Sequence, residues 1–159
     1  MIIIGYQGVG KSTLANKDDK FIDLESGSFW INNTDGNSKY RYDNWYEMYC
    51  NVAEHLSQQG YIVFVSSHEV VRNRLKQSKE RVFTLYPDIS LKDKWIQRLS
   101  DRYHESNLDK DYRALINAVD RYEENIKEIA NSGFDSFVIR DINYDLKELI
   151  MSTIDINNY

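Results

Sequence analysis

The chain has 159 residues and a mass of 18.8 kDa, which is enough for one domain with a full hydrophobic core. Its formal net charge of −5 disfavours duplex nucleic acid as a partner, and its longest apolar runs are too short to span a bilayer. No basic stretch precedes the first apolar run, so we expect no secretory signal and a cytoplasmic protein.

Short apolar runs alternate with helical patterns along the whole chain. The predicted strands cover residues 2–4, 21–25, 61–65, 81–86 and 136–139. The predicted helices cover residues 11–15, 45–59, 66–75, 88–103, 111–131 and 144–155. This alternation is typical of an α/β domain with a parallel sheet of about five strands and helices on both faces. Ligands bind such sheets at the carboxyl ends of the strands.

A glycine-rich loop follows the first strand. Residues 5–12 read GYQGVGKS and match G-x-x-x-x-G-K-[ST], with a strand before the motif and a helix after it. The glycines let the backbone curl so that successive N–H groups point at phosphate oxygens. The loop therefore predicts binding of a nucleoside triphosphate. The expected contacts are Gly5, Gly8, Val9, Gly10, Lys11, Ser12 and Thr13, with Lys11 on the β- and γ-phosphates and Ser12 on Mg²⁺.

An acidic residue at the tip of the strand beside the loop strand is common in such proteins, but here that tip reads VSSHE without an aspartate. The best carboxylate instead lies in FIDLESGSF, where Asp23 and Glu25 share one face of the second strand. We predict that Asp23 holds Mg²⁺ or orients the attacking hydroxyl. The alternative is a solvated acid at a strand end. Glu25 is a weaker candidate for substrate contact.

Three further segments resemble a known family. The chain resembles the P-loop kinases of the nucleoside monophosphate kinase group, and especially compact phage-encoded nucleotide-kinase-like proteins. The resemblance rests on a short first helix followed by the segments FIDLES, VFVSSHEVVR and YPD. The resemblance covers nearly the whole chain. It implies a three-layer P-loop NTPase fold, one domain over residues 1–159, and ATP with Mg²⁺ as the phosphate donor.

By the same resemblance, the polar break at residues 104–110 looks like a reduced lid, near residues 98–113, that closes over the triphosphate. Arg98 and Arg102 lie four positions apart on the helix that enters this break. They therefore share a helix face and could contact the transferring phosphoryl group. The alternative is a solvated helix face.

The resemblance also assigns the acceptor side. The segment near residues 27–46 would cover the acceptor, and its aromatic residues around Arg41 could stack a base or form core. Arg72 occupies a region where related kinases place an arginine on the substrate phosphate, with a surface role as the alternative. Arg140, after the last strand, corresponds to the usual adenine position.

The sequence thus favours an ATP- and Mg²⁺-dependent kinase that acts on a nucleotide or a similar small phosphate acceptor. Two alternatives stay open. One is a nucleic-acid kinase that uses the aromatic segment as a platform, and the other is a nucleotide-binding regulator without rapid turnover.

Overall fold

The computed structural model describes residues 1–32, 35–36 and 38–156. The strands within these ranges are β1 (Ile2–Gly5), β2 (Phe21–Asp23), β3 (Ile31–Asn32), β4 (Lys39–Tyr40), β5 (Ile62–Ser66), β6 (Val82–Pro87) and β7 (Asp135–Ile139). The helices are α1 (Lys11–Ala15), α2 (Trp45–Gln58), α3 (Glu69–Leu75), α4 (Lys92–Ser106), α5 (Asp109–Ala130) and α6 (Leu146–Ile156). Among these helices none is both long and apolar enough to cross a membrane.

β1 is the middle strand of a five-stranded sheet with the order β2-β5-β1-β6-β7. All four strand pairs are parallel, as the sequence predicts. The register places Gly5, the last residue of β1, opposite Ser66 of β5 and Leu85 of β6. Parallel strands end at the same edge of a sheet, and this edge is where ligands bind in such folds. Residues 5–12, the P-loop, therefore leave the sheet at its ligand-binding edge.

The alternating direction of side chains along β1 supplies both hydrophobic cores. Ile3 packs into the core formed with α4, α5 and α6, which contains the fully buried Trp95. Ile2 and Ile4 point to the other face and pack with α2 and α3 around Tyr49. Truncating one of these isoleucines to alanine would cost about 2–5 kcal/mol. The strand that carries the P-loop is thus fixed from both sides.

The helices α4 and α5 form a hairpin with a tighter turn than the sequence suggests. The predicted break at residues 104–110 is too wide, because α4 continues to Ser106 and α5 begins at Asp109. Asn107 makes the turn with a φ of 51°, a left-handed conformation that asparagine adopts more readily than most residues. Within α5 the backbone of Arg121 departs from helical geometry, with φ of −136° and ψ of 21°. The hairpin is therefore compact at its tip and kinked near its middle.

The segment predicted to cover the acceptor, near residues 27–46, contains a short 3₁₀ helix, Ser26–Phe29, and the antiparallel pair β3 and β4. It is anchored by aromatic contacts on α2, where Tyr49 packs against Phe29 at 5.3 Å and Trp45 at 5.5 Å between ring centroids. Residues 33, 34 and 37 of this segment lie outside the described residues.

Candidate active site

The backbone carbonyls of the P-loop are held from outside by side chains. Three donors, two on α4 and one just before α6, each give a hydrogen bond to one carbonyl. The bonds run from Trp95 Nε1 to Gln7 O (3.0 Å), from Arg98 Nε to Gly8 O (3.0 Å) and from Tyr144 OH to Val9 O (2.7 Å). The C=O and N–H of one peptide unit point in opposite directions, so outward carbonyls turn the following N–H groups inward.

The backbone N–H groups of the loop are available to donate hydrogen bonds to a ligand. Those of residues 7–13 have no acceptor among the residues that the structure describes. Gly8 and Gly10 have φ values of 81° and 93°, which favour glycine, and a Cβ at Gly8 would lie 2.8 Å from Leu99 Cδ2. A row of inward N–H groups is the arrangement that binds phosphate oxygens. The predicted triphosphate contacts of the loop fit this geometry.

Lys11 turns its ammonium group back under the loop. Its Nζ donates to Gly5 O at 3.2 Å and to Tyr6 O at 3.3 Å. Burial lowers the pKa of Lys11, while the negative charges of Asp23 and Glu25 act in the opposite direction. A phosphate group beside the ammonium would favour its charged form further. The present partners of Lys11 Nζ are two neutral carbonyls, and a bound phosphate would supply a charged acceptor in their place.

A cavity of about 600 Å³, the first cavity, opens over the P-loop. It is lined by loop residues and by polar side chains from β2, α4 and α5. The predicted site residues among its walls are Gly8, Val9, Gly10, Lys11, Ser12, Thr13, Asp23, Glu25, Arg98 and Arg102. The structure thus brings the predicted catalytic residues and all the predicted contacts of the loop except Gly5 into one cavity.

Asp23 ends β2 at the wall of the first cavity. Burial raises the pKa of its carboxyl group, the nearby Lys11 lowers it, and Glu25 raises it. A carboxylate that is partly desolvated and near a cation suits either contact with a metal-bound water or polarisation of a hydroxyl. Both predicted roles of Asp23 are compatible with this position.

Ser12 and Asp23 are the residues predicted to hold Mg²⁺, and both line the first cavity. Among the described residues no group of three His, Cys, Asp or Glu side chains could hold a metal ion. Mg²⁺ usually keeps several waters and takes only one or two protein ligands beside substrate phosphates. A hydroxyl and a carboxylate next to a phosphate-binding loop therefore fit the donor set of this ion.

Arg98 and Arg102 share one face of α4 but have different partners. Arg98, besides its bond to the loop, lies over the rings of Trp95 and Tyr144 at 5.3 and 5.5 Å from their centroids. Arg102 pairs with Asp111 of α5 at 2.5 Å, and the Asp111 side chain is only 3% exposed. Arg98 therefore supports the loop directly, whereas Arg102 presents a charge that is already paired.

A second cavity, of about 480 Å³, adjoins the first. The two share the side chains of Gln7, Lys11 and Ser66. The walls of the second cavity are polar, with donors and acceptors from the end of β5, from α3 and from α5. They include Ser67, His68, Arg72, Asn117, Arg121, Asn125 and Glu128. Groups bound in the two cavities would therefore meet beside Lys11.

Arg72, predicted as a substrate contact, is nine-tenths buried in the wall of the second cavity. Its guanidinium donates to Ser67 O at 2.5 Å and lies 3.5 Å from one oxygen of Glu128. The other oxygen of Glu128 lies 3.3 Å from Arg121. One carboxylate is thus shared between two arginines from different helices, with a long contact to each.

A third cavity, of about 410 Å³, lies on the other side of the loop, beside Thr13, Arg98 and Tyr144. Arg140, which the sequence assigns to the adenine, is exposed at the end of β7 and lines none of the three cavities. The structure therefore brings Tyr144 and Arg98, and not Arg140, to the space next to the loop.

Arg41 also lies away from the cavities. Its guanidinium is 4.3 Å from the ring centroids of both Trp30 and Trp45, and it donates to Ser26 O at 3.1 Å. Burial lowers the pKa of Arg41. Two indole rings and a backbone carbonyl contact this side chain, and one of these rings, that of Trp45, also packs against His68 at 5.5 Å between ring centroids.

The sequence does not point to the groups that hold the loop carbonyls. Trp95 and Tyr144 lie 88 and 135 positions from the carbonyls that they bind. The signal available is chemical, because a buried Trp N–H or Tyr O–H usually finds an acceptor. Ser66 and Glu128 are likewise unmarked, because residues on strands and helices far apart in the chain form the second cavity.

The architecture matches a known enzyme fold. The chain aligns with the structure of shikimate kinase from Bacteroides thetaiotaomicron over 99% of its own length and 95% of that chain, with a TM-score of 0.53 and 14% sequence identity. This chain has the P-loop NTPase fold of that kinase. No family model and no curated protein matches the sequence. The predicted fold class is confirmed, while the likeness to phage-encoded proteins stays a prediction.

Proposed function

We propose that the protein is an ATP- and Mg²⁺-dependent phosphotransferase that acts on a small anionic acceptor. The observation that carries this proposal is the P-loop itself, whose carbonyls are bonded outward and whose N–H groups are uncommitted beside Lys11. The fold shared with a shikimate kinase supports a kinase over other nucleotide-dependent proteins.

We place the triphosphate of ATP in the first cavity and the adenosine in the third. The two cavities share Val9, Gly10, Thr13 and Arg98, so one molecule could extend from one to the other around the loop. Tyr144 and Arg98 offer planar groups at the third cavity, which suits an aromatic base. Arg140 stays a prediction for this role without support from its position.

In this proposal Ser12 and Asp23 hold the Mg²⁺ ion. When bound, the ion neutralises charge on the phosphates and so favours nucleophilic attack on the terminal phosphorus. Lys11 leaves its carbonyl partners and binds the β- and γ-phosphates. Arg102, which now pairs with Asp111, lies at the wall where negative charge develops during transfer. Residues 98–113, the predicted lid, supply this arginine.

The second cavity is the proposed acceptor site. Arg72 and Arg121 flank Glu128, whose carboxylate lies between them with long contacts. A phosphate or carboxylate of the acceptor could replace Glu128 and bind both guanidinium groups with better geometry. A nucleotide or a similar small phosphate compound satisfies this requirement. Glu25, at the first cavity, and Arg41, between its two indoles, are not part of this acceptor site.

An acceptor screen with ATP labelled at the γ-phosphate tests the proposal. Nucleoside monophosphates and small phosphorylated or carboxylated alcohols serve as acceptors, and labelled products are separated by chromatography. We expect transfer to at least one of them in the presence of Mg²⁺ and a rise in Tm with ATP. ATP binding without transfer to any compound would instead favour the regulator, and an unchanged Tm with ATP would overturn the proposal.

A further inference from the structure

Ser66 lies where the first and second cavities join. It ends β5, directly opposite Gly5 of β1, and its side chain lines both cavities together with Gln7 and Lys11. Its backbone is fixed, because the Ser66 N–H donates to Tyr49 Oη at 2.9 Å and the Tyr49 hydroxyl donates to Leu24 O at 2.6 Å. A hydroxyl is thus held at the position where phosphate donor and acceptor would meet.

The Ser66 hydroxyl has an imidazole partner. His68 Nδ1 lies 2.8 Å from Ser66 Oγ, and His68 itself lines the second cavity. The edge of the imidazole packs against Trp45, with 5.5 Å between ring centroids. A serine hydroxyl bonded to an imidazole that a third group positions is an arrangement that moves protons in many enzymes.

We infer that Ser66 and His68 form a proton relay for the attacking hydroxyl of the acceptor. This inference rests on the proposed function. Of the two cavities, Asp23 lines only the first, whereas Ser66 lines both and His68 lines the second, where we place the acceptor. The relay therefore accepts the proton of the acceptor hydroxyl, and the role of Asp23 in this scheme is to hold the metal ion. Ser66 is a catalytic residue in this scheme, and His68 is a positioning residue that acts through it.

The transfer step balances without a further reactant. The acceptor oxygen forms a bond to the γ-phosphorus, and the bond from that phosphorus to the β,γ-bridging oxygen breaks, with its electron pair left on ADP. The proton of the acceptor hydroxyl passes to Ser66 Oγ. The proton of Ser66 passes to Nδ1 of His68, which becomes a cation until solvent removes the proton.

The surroundings of His68 keep the imidazole neutral and ready to accept a proton. Burial lowers its pKa, and the positive charges of Arg41 and Arg72 lower it further. The charged groups across the second cavity are Lys11 of α1, Glu69 of α3, and Arg121 and Glu128 of α5. With a pKa below the ordinary value of about 6.5, His68 is available at neutral pH, and activity should fall only as the pH drops through that lowered pKa.

The experiment uses ATP with water as the acceptor and follows ADP release between about pH 5 and pH 8, the range over which histidine titrates. We expect Ser66→Ala and His68→Asn to lower the turnover number at least about tenfold with an unchanged KM for ATP, because proton transfer is lost and binding is not. The decline at low pH should be present in the wild type and absent in His68→Asn.

A histidine and a serine outside the lid and outside both cavities provide matched controls. His55 is exposed on α2, with its Nε2 3.0 Å from Gln59 Nε2, and Ser152 is exposed on α6. Ser152→Ala and His55→Asn should turn over ATP like the wild type. Thermal melting of all four variants separates loss of activity from loss of folding.

The outcomes distinguish the relay from the proposed function. A wild type that ATP does not stabilise against heat overturns the proposed function. The relay alone is overturned if the wild type binds ATP and one of three results is observed. These results are no ADP release, unchanged turnover in Ser66→Ala and His68→Asn, or the same decline at low pH in His68→Asn as in the wild type. The relay is supported if only Ser66→Ala and His68→Asn lose turnover and if the decline of activity at low pH is absent in His68→Asn.

Discussion

The two sides of Lys11 are built differently. On the donor side, the P-loop carbonyls accept hydrogen bonds of 2.7–3.0 Å from Trp95, Arg98 and Tyr144. On the acceptor side, Arg72 and Arg121 share the partly exposed carboxylate of Glu128 over 3.3–3.5 Å. The proposed donor side is therefore fixed by the core, whereas on the proposed acceptor side the long contacts to Glu128 are ones that a ligand could replace.

This difference bears on how the site would work. A preorganised donor site stabilises the charge of the triphosphate without rearrangement at the moment of transfer. An acceptor site closed by an internal ion pair opens only for a group that binds the arginines better than Glu128 does. The kink of α5 at Arg121 lies in the same wall. Substitutions on either side of Lys11 test this difference.

Lys11→Ala should have the largest effect. Removing the ammonium leaves the triphosphate without its charged partner, so we expect phosphoryl transfer to fall at least about a hundredfold and ATP affinity to weaken. Calorimetry with ATP and the labelled transfer assay measure both quantities. Lys79→Ala, at an exposed lysine, is the control. Wild-type ATP affinity in Lys11→Ala would contradict the role of the loop.

Asp23→Asn should separate binding from transfer. The amide keeps the size of the side chain but removes the charge, so we expect ATP binding to persist while transfer falls at least about tenfold. The exposed Asp19→Asn is the matched control at the same end of the chain. Full transfer activity in Asp23→Asn would remove this carboxylate from the mechanism.

Trp95→Phe tests the rigidity of the donor side. The change removes the bond to Gln7 O and leaves a small void, so we expect the free energy of unfolding to fall by about 1–3 kcal/mol and ATP affinity to drop a few-fold. Urea unfolding and calorimetry measure the two effects. The exposed Trp30→Phe should change neither. Unaltered ATP affinity in Trp95→Phe would mean that this carbonyl bond does not shape the loop.

Glu128→Gln should have the smallest effect on stability, within about 1 kcal/mol, because the carboxylate is partly exposed. It removes the internal anion, so inorganic phosphate, used as a probe in the presence of an ATP analogue, should bind a few-fold more tightly. Glu124→Gln, which loses a contact to Arg121 alone, is the control. Equal phosphate affinity in Glu128→Gln and the wild type would argue against a replaceable contact.

The backbone of the P-loop and its place in the fold follow from the sequence because the information is local. The eight residues of the P-loop carry their own geometry, since positive φ values require glycine and the strand and helix around them are adjacent in the chain. The parallel sheet also follows from the alternation of strands and helices. Asp23 enters the same cavity because β2 and β1 flank β5 and end at one edge of the sheet.

The acceptor side could not be predicted in this way. Arg72 and Glu128 are 56 positions apart, and no pattern in the sequence indicates that α3 and α5 place them in one wall. Arg41, predicted as a substrate contact, instead lies between two indole rings, which depends on how residues 27–46 pack on α2. The same holds for Arg140, whose exposure follows from the direction of the chain after β7.

The sequence by itself determined that a strand breaks into a glycine-rich loop and that parallel strands surround it, because backbone conformation and hydrophobic periodicity are set by neighbouring residues. Only the tertiary structure decided which side chains hold the loop carbonyls and which arginines line the cavities. Those contacts join residues far apart in the chain, and their geometry depends on the packing of whole helices against the sheet.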